Sequence, residues 1–162
     1  MTDNRFRTSR GLIFEEELPM NATKRRVLFL CTHNSCRSQM AEGLVNHDLG
    51  ERIEAFSAGT EATRVNPLAA KVMAEIAIDL SSHRSKTLDE FAGQPFDYVI
   101  TLCGDANERC PLFFGGVQRR HMGFEDPSRR PGSEEEVLPE YRRVRDEIRQ
   151  TMREFFAKEL AS

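Results

Sequence analysis

The chain has 162 residues, 30% of them charged, and a formal net charge of −3. That length suits one compact domain with its own core. The slightly acidic balance argues against nucleic acid or an anionic membrane as the main partner, and no apolar run approaches the roughly 20 residues that a membrane-spanning helix needs.

Residues 1–24 are polar, show no helical or strand period and end in the turn-like Pro19-Met20-Asn21. An N-terminal extension is expected there, poorly ordered or loosely wrapped on a domain covering 25–162. Leu12-Ile13-Phe14 is too short for a secretory signal. A cytoplasmic location is therefore expected, in which Cys31, Cys36, Cys103 and Cys110 rest as thiols.

The domain opens with Val27-Leu28-Phe29-Leu30, a continuous apolar run that fits a strand covered on both faces. From Ser38 the pattern turns helical. Met40, Leu44, Val45 and Leu49 share a face, and Gly50 ends it. Ile53 to Ala58 reads as a second strand. Asn66-Pro67 caps and opens a helix carrying Leu68, Val72, Met73 and Ile76. A short helix is expected near Leu88 to Ala92, a third strand over Tyr98 to Leu102, and a weak fourth over Val117 to His121. Pro139 to Leu160 forms a long terminal helix, with Tyr141, Val144, Ile148, Met152, Phe155 and Phe156 at helical spacing. The charged run Arg142-Arg143-Val144-Arg145-Asp146-Glu147 reads as its solvated face.

Strands alternating with helices imply crossover units: an α/β fold with a parallel, twisted, four-stranded sheet and helices on both faces. Ligands bind such sheets at the carboxyl ends of the strands. Cys31 and Cys103 each follow a predicted strand, so both thiols belong to one rim.

Cys31-Thr32-His33-Asn34-Ser35-Cys36-Arg37 fits C-x5-R. Seven residues can curl so that their N–H groups converge, with a thiol at the floor and a guanidinium as clamp. The same spacing recurs from Cys103 to Arg109, but that segment carries Asp105 and Glu108, which would repel an anion. The first loop has no acid and leads through Ser38 into a helix N-terminus, whose field favours an oxyanion and a Cys31 thiolate. Ser38 is placed to hydrogen-bond that sulfur, and Asn34 and Ser35 to brace the loop. In the anion loop the main-chain N–H of His33 matters more than its ring. C-x4-C and C-x6-C are not the usual zinc spacings, and no metal site is expected. Asp126-Pro127 reads either as a loop-capping turn or as a general acid on a rigid loop.

The longer stretch from Val27 to Gly43, with Ser57-Ala58-Gly59, Asn66-Pro67, Thr101-Leu102-Cys103-Gly104-Asp105-Ala106, Cys110-Pro111 and Gly123 to Pro127, resembles arsenate reductases of the low-molecular-weight protein tyrosine phosphatase fold. The resemblance covers nearly everything after residue 25. It implies a three-layer sandwich with a phosphatase-type P-loop after the first strand. It also implies a relay. Cys31 attacks arsenic, with Arg37 and Ser38 assisting and Asp126 as general acid. Cys103 then attacks the Cys31 sulfur, and Cys110 attacks Cys103. An external thiol reductant, by this resemblance thioredoxin, reduces the final disulfide. No tightly bound cofactor is implied, phosphate or sulfate would compete with arsenate, and a monomer is expected.

Two features favour arsenate over phosphotyrosine. Pro127-Ser128-Arg129-Arg130-Pro131 lacks the aromatics that follow the Asp-Pro pair in phosphatases of this fold, and a hydrolase has no use for Cys103 and Cys110. The alternative is a tyrosine phosphatase or related phosphomonoesterase on the same loop; an oxyanion-binding module is a third. Many of these reductases hold potassium beside the loop with oxygens that match Asn34, Glu42 and Ser57 plus an aspartate. This chain has Lys86 at the aspartate position. Its ammonium could replace the ion, so potassium is not expected to be required; otherwise Lys86 is a surface lysine before a helix. Finally, if residues 103–110 are helical, the two cysteine Cα atoms lie about 10 Å apart. A disulfide spans up to about 7 Å, so residues 103–111 are expected to unwind when it forms.

Overall fold

A computed structural model describes residues 23–103 and 117–161. The expectations for residues 1–22, for Cys110 and for unwinding between Cys103 and Pro111 lie outside the described residues. The sheet begins at Arg25. Strands β1 (Arg25–Cys31), β2 (Ile53–Gly59), β3 (Tyr98–Thr101) and β4 (Gln118–His121) are all parallel, in the order β2-β1-β3-β4. Chain direction across the sheet reverses between β1 and β3. The crevice outside the carboxyl ends of these two strands is where a ligand fits such a sheet.

β1 is buried on both faces, as its unbroken apolar run requires. Val27 and Phe29 face one core with helices α1 (Arg37–Leu49), α2 (Pro67–Ala74) and α3 (Glu134–Ala161). Leu28 and Leu30 face a second core with Val99, Phe91 and Phe96. Over that face lies the 3-10 turn Leu88–Phe91, where Phe56, Phe91 and Phe96 meet edge to face at centroid distances of 5.7 Å. Helical layer, sheet and this second cover make the three-layer α/β sandwich. Among the described residues no helix is long and apolar enough to cross a membrane.

Asn66 caps α2 by accepting from the N–H groups of Leu68 and Ala69 at 2.8 and 3.1 Å, with Pro67 next in the chain. α2 ends at Ala74, so Ile76 lies in the following turn, where Ala77 takes a positive φ. The terminal helix starts at Glu134, five residues before the expected Pro139. Its start is a capping box: Glu136 N–H donates to Ser133 Oγ at 3.3 Å, and Ser133 N–H to Glu136 Oε1 at 2.7 Å. Tyr141, Val144, Ile148, Met152 and Phe156 are buried along it, and Phe155 is half-buried. The charged run on α3 is not simply a solvated face. Arg145 is buried and donates to Val72 O and Glu75, while Arg142 forks onto Glu75. Arg145 thus satisfies a carbonyl at the carboxyl end of α2, where carbonyls lack helical partners, and both arginines place positive charge there.

Candidate active site

The loop between β1 and α1 is held from outside by its carbonyls. Thr32 O accepts from Glu61 N–H and the Thr60 hydroxyl. His33 O accepts from the Ser85 hydroxyl, Asn34 O from Gln39 Nε2, and Ser35 O from Asn66 N–H. In a planar trans peptide the next N–H points opposite to the carbonyl. Four outward carbonyls in a row therefore turn the N–H groups of residues 33–36 inward, toward the floor occupied by Cys31. Asn34 takes φ +50°, the left-handed conformation that lets so short a loop curl. Gly59 makes room for it: a Cβ there would fall 2.7 Å from Thr32 O and 2.8 Å from Asn34 N.

Asn34 is the centre of the brace. It is fully buried, and its Nδ2 donates to Ser38 Oγ and Ser57 Oγ, both at 2.9 Å. Its Oδ1 accepts from Lys86 N–H and from Gln39 Nε2. Among the described residues Ser38 Oγ accepts from Asn34 Nδ2 and makes no hydrogen bond to the Cys31 sulfur, but its own proton is left free to donate. Sequence reasoning passed over Gln39, which is buried and bonded to Asn34, Arg84 O and His83 Nδ1.

Arg37 closes the pocket. Its side chain is only 12% exposed; Nη1 donates to Phe124 O at 2.9 Å, and Nη2 lies 3.4 Å from Asp126 Oδ2. Its Nε is buried without a partner, a costly state unless a ligand atom accepts from it. Asp126 is both a turn cap and part of the pocket wall. It caps the 3-10 turn Pro127–Arg129 by accepting from Ser128 N–H and Oγ, and it lines the pocket. That pocket, about 160 Å³, is bounded by Cys31, Cys36, Arg37, Asp126, Thr63 and Ser128 among others. Its size suits one tetrahedral oxyanion.

Cys103, two residues beyond β3, reaches the loop. Its sulfur lies 3.1 Å from the Oγ1 of Thr32, the residue next to Cys31 in the loop. Contact with Cys103 and burial push the Cys31 thiol up; Arg37 and the Thr32 N–H pull it down less strongly. The helix field expected to favour a Cys31 thiolate is thus opposed by burial and by the neighbouring Cys103. Burial pushes Cys36 up to about 12, with Asp126 adding and Arg37 opposing. Cys36 therefore stays a thiol at neutral pH.

Beside the loop, the Ser57 hydroxyl donates to Glu42 Oε1 at 2.5 Å, and Lys86 Nζ lies 3.9 Å from the same oxygen and 3.1 Å from Arg84 O. The Lys86 side chain is 11% exposed, which rules out an ordinary surface lysine. Asn34, Glu42, Ser57 and Lys86 thus lie together beside the loop.

Residues 26–162 match the family described as low molecular weight phosphotyrosine protein phosphatase. An arsenate reductase of Bacillus subtilis (strain 168) is 48% identical over 129 residues, covering 80% of this chain and 93% of its own length. A solved arsenate reductase in the phosphate binding state superposes with a TM-score of 0.71 at 34% identity, over 83% of this chain and 98% of that one. A thioredoxin-dependent arsenate reductase of Corynebacterium glutamicum superposes with a TM-score of 0.60 at 28% identity, over 86% of this chain and 65% of that one. With a loop of inward N–H groups at the sheet's crevice and relatives of this closeness over nearly its whole domain, the chain belongs to the low molecular weight phosphotyrosine protein phosphatase family, alongside the arsenate reductases.

Proposed function

We propose that this protein reduces arsenate to arsenite, with Cys31 as nucleophile and Cys103 and Cys110 as the relay. The observation that carries this reading is the place of Cys103, whose sulfur lies 3.1 Å from Thr32 Oγ1 in the loop that starts at Cys31. Hydrolysis of a phosphate ester on the same loop would have no use for a second sulfur against its nucleophile.

Cys31 gives its proton to an oxygen of the bound arsenate, and the resulting thiolate attacks arsenic and forms the S–As bond. The departing oxygen leaves as water, protonated by Asp126. Arg37 and the inward N–H groups hold the remaining oxygens as charge builds. Cys103 then gives its proton to water and attacks the Cys31 sulfur. The S–S bond forms and the S–As bond breaks. Its electron pair stays on arsenic, which leaves as arsenite. Cys110 attacks the Cys103 sulfur and releases the Cys31 thiolate. The Cys103–Cys110 disulfide takes two electrons from an external dithiol. Thioredoxin fits that role, since one relative is named for this dependence. A cytoplasmic location accords with thiols that must begin each cycle reduced. Phosphate and sulfate would compete for the same loop.

The test is NADPH oxidation with thioredoxin and thioredoxin reductase, with and without arsenate. Arsenate-dependent consumption is expected. Strong phosphotyrosine hydrolysis without any arsenate-dependent consumption would replace this reading with the phosphatase one.

No potassium requirement is expected either. The Lys86 ammonium already faces the Glu42 carboxylate beside the Asn34–Ser57 brace. Replacing KCl by NaCl at equal ionic strength should leave kcat/KM unchanged. A large potassium-specific stimulation would show that Lys86 does not do the cation's work.

A further inference from the structure

Asp126 is flanked by residues tied to α3. Glu125, just before it, accepts from Arg143 Nη2 at 2.5 Å and from Arg130 Nη2 at 3.4 Å. Arg130, just after the 3-10 turn, also lies 3.3 Å from Glu140 Oε1. Glu140 accepts from Arg143 Nε and Nη2 at 3.1 and 2.8 Å. The contacts close a ring: Glu125, Arg143, Glu140, Arg130 and back to Glu125. Arg143 Nη1 is engaged as well, by Glu147 at 2.7 Å. All three guanidinium nitrogens of Arg143 are thus fixed by carboxylates, two of them one helical turn away on either side of it in α3.

The ring brackets Asp126 from both sides and joins its loop to the longest helix of the domain. Inside the bracket, the carboxylate is oriented by Ser128 and lies 3.4 Å from Arg37. An isolated exposed ion pair contributes little, but a ring of charges in which each guanidinium holds two carboxylates does more. Placement matters here because a proton donor acts only within hydrogen-bond reach of the departing oxygen, and an error of about 1 Å can cost on the order of 10²-fold. Arginine is needed at position 143, since a lysine offers a point charge and not a planar fork.

We infer that Arg143 is a positioning residue for the general acid: through the ring with Glu125, Glu140 and Arg130 it holds the Asp126 loop over the oxyanion pocket. This rests on the arsenate reductase reading and on Asp126 as its acid.

The experiment is a double-mutant cycle on kcat/KM for arsenate with the thioredoxin system, using Arg143→Gln, Asp126→Asn and the double variant, with Tm measured for each. Arg143→Gln should lower kcat/KM about tenfold in the parent protein and leave it unchanged in the Asp126→Asn background. Glu125→Gln, which breaks the ring from the loop side, should give the same loss and should not add to Arg143→Gln. It also keeps the test available if Arg143→Gln folds poorly. Equal losses from Arg143→Gln with and without the Asp126 carboxylate would overturn the inference, as would full activity of Arg143→Gln. Failure of the underlying reading is read separately. It would appear as no arsenate-dependent turnover in the parent protein, or as an Asp126→Asn variant with full activity.

Discussion

Cys31→Ser should abolish arsenate-dependent turnover, and Arg37→Ala should lower kcat/KM by on the order of 10³-fold. The two losses have different causes. A serine hydroxyl in this loop holds its proton far more tightly than a thiol and cannot enter a disulfide, so both the attack and the relay end. Arg37 supplies the pocket's one buried polar atom without a partner among the described residues, its Nε, together with the guanidinium charge. Its Nη1 is already bonded to Phe124 O and its Nη2 faces Asp126. The clamp is therefore built before substrate arrives, and an oxyanion completes it. The same substitutions should remove any side activity on an aryl phosphate, because that chemistry uses the same floor and clamp. Circular dichroism and Tm establish that the variants fold. An Arg37→Ala protein within about threefold of the parent in kcat/KM would refute the clamp.

The loop was readable in the sequence because its chemistry is local. Thiol, acid-free loop, arginine and helix start fall within eight residues, and each residue type has a reason for its place. The strands were readable where both faces are buried, as in Val27 to Leu30. β4 was weaker for a physical reason: Gln118, Arg119, Arg120 and His121 are all exposed, so no apolar alternation marks the strand. It forms by pairing with β3. The start of α3 lies ahead of the apolar spacing that marks Pro139 to Leu160, and its signal is the capping box Ser133-Glu134-Glu135-Glu136. Gln39 could not be read at all. In a helix sequence it resembles a surface residue, and its burial is fixed by His83 and Arg84, more than forty residues away in the chain. The same holds for Arg145, whose partners lie in α2 and the turn after it. Polar burial decided by distant partners leaves no periodic trace.

Cys103→Ser and Cys110→Ser should each abolish multiple-turnover arsenate reduction while leaving hydrolysis of an aryl phosphate in place. Hydrolysis needs only the Cys31 thiolate, Arg37, the inward N–H groups and Asp126, with water as the second nucleophile. The two variants should stop at different points. Cys103→Ser lacks the thiolate that attacks the Cys31 sulfur and leaves the S–As electron pair on arsenic, so no arsenite is released. Cys110→Ser should release a single equivalent of arsenite and then hold a Cys31–Cys103 disulfide, detectable by mass spectrometry after alkylation of the free thiols. Cys103→Ser carries a further expectation with a definite sign. The contact with Cys103 is the largest of the influences pushing the Cys31 thiol up, while Arg37 and the Thr32 N–H pull it down. With a hydroxyl in place of the second thiol, the sulfur–sulfur repulsion is gone and the Cys31 thiolate can accept a hydrogen bond from a group that does not itself ionise. The Cys31 pKa should fall, and the acidic limb of kcat/KM for aryl phosphate hydrolysis should move to lower pH. A limb that stays in place, or a folded Cys103→Ser protein inactive in both assays, would show that the two sulfurs do not divide the work in this way.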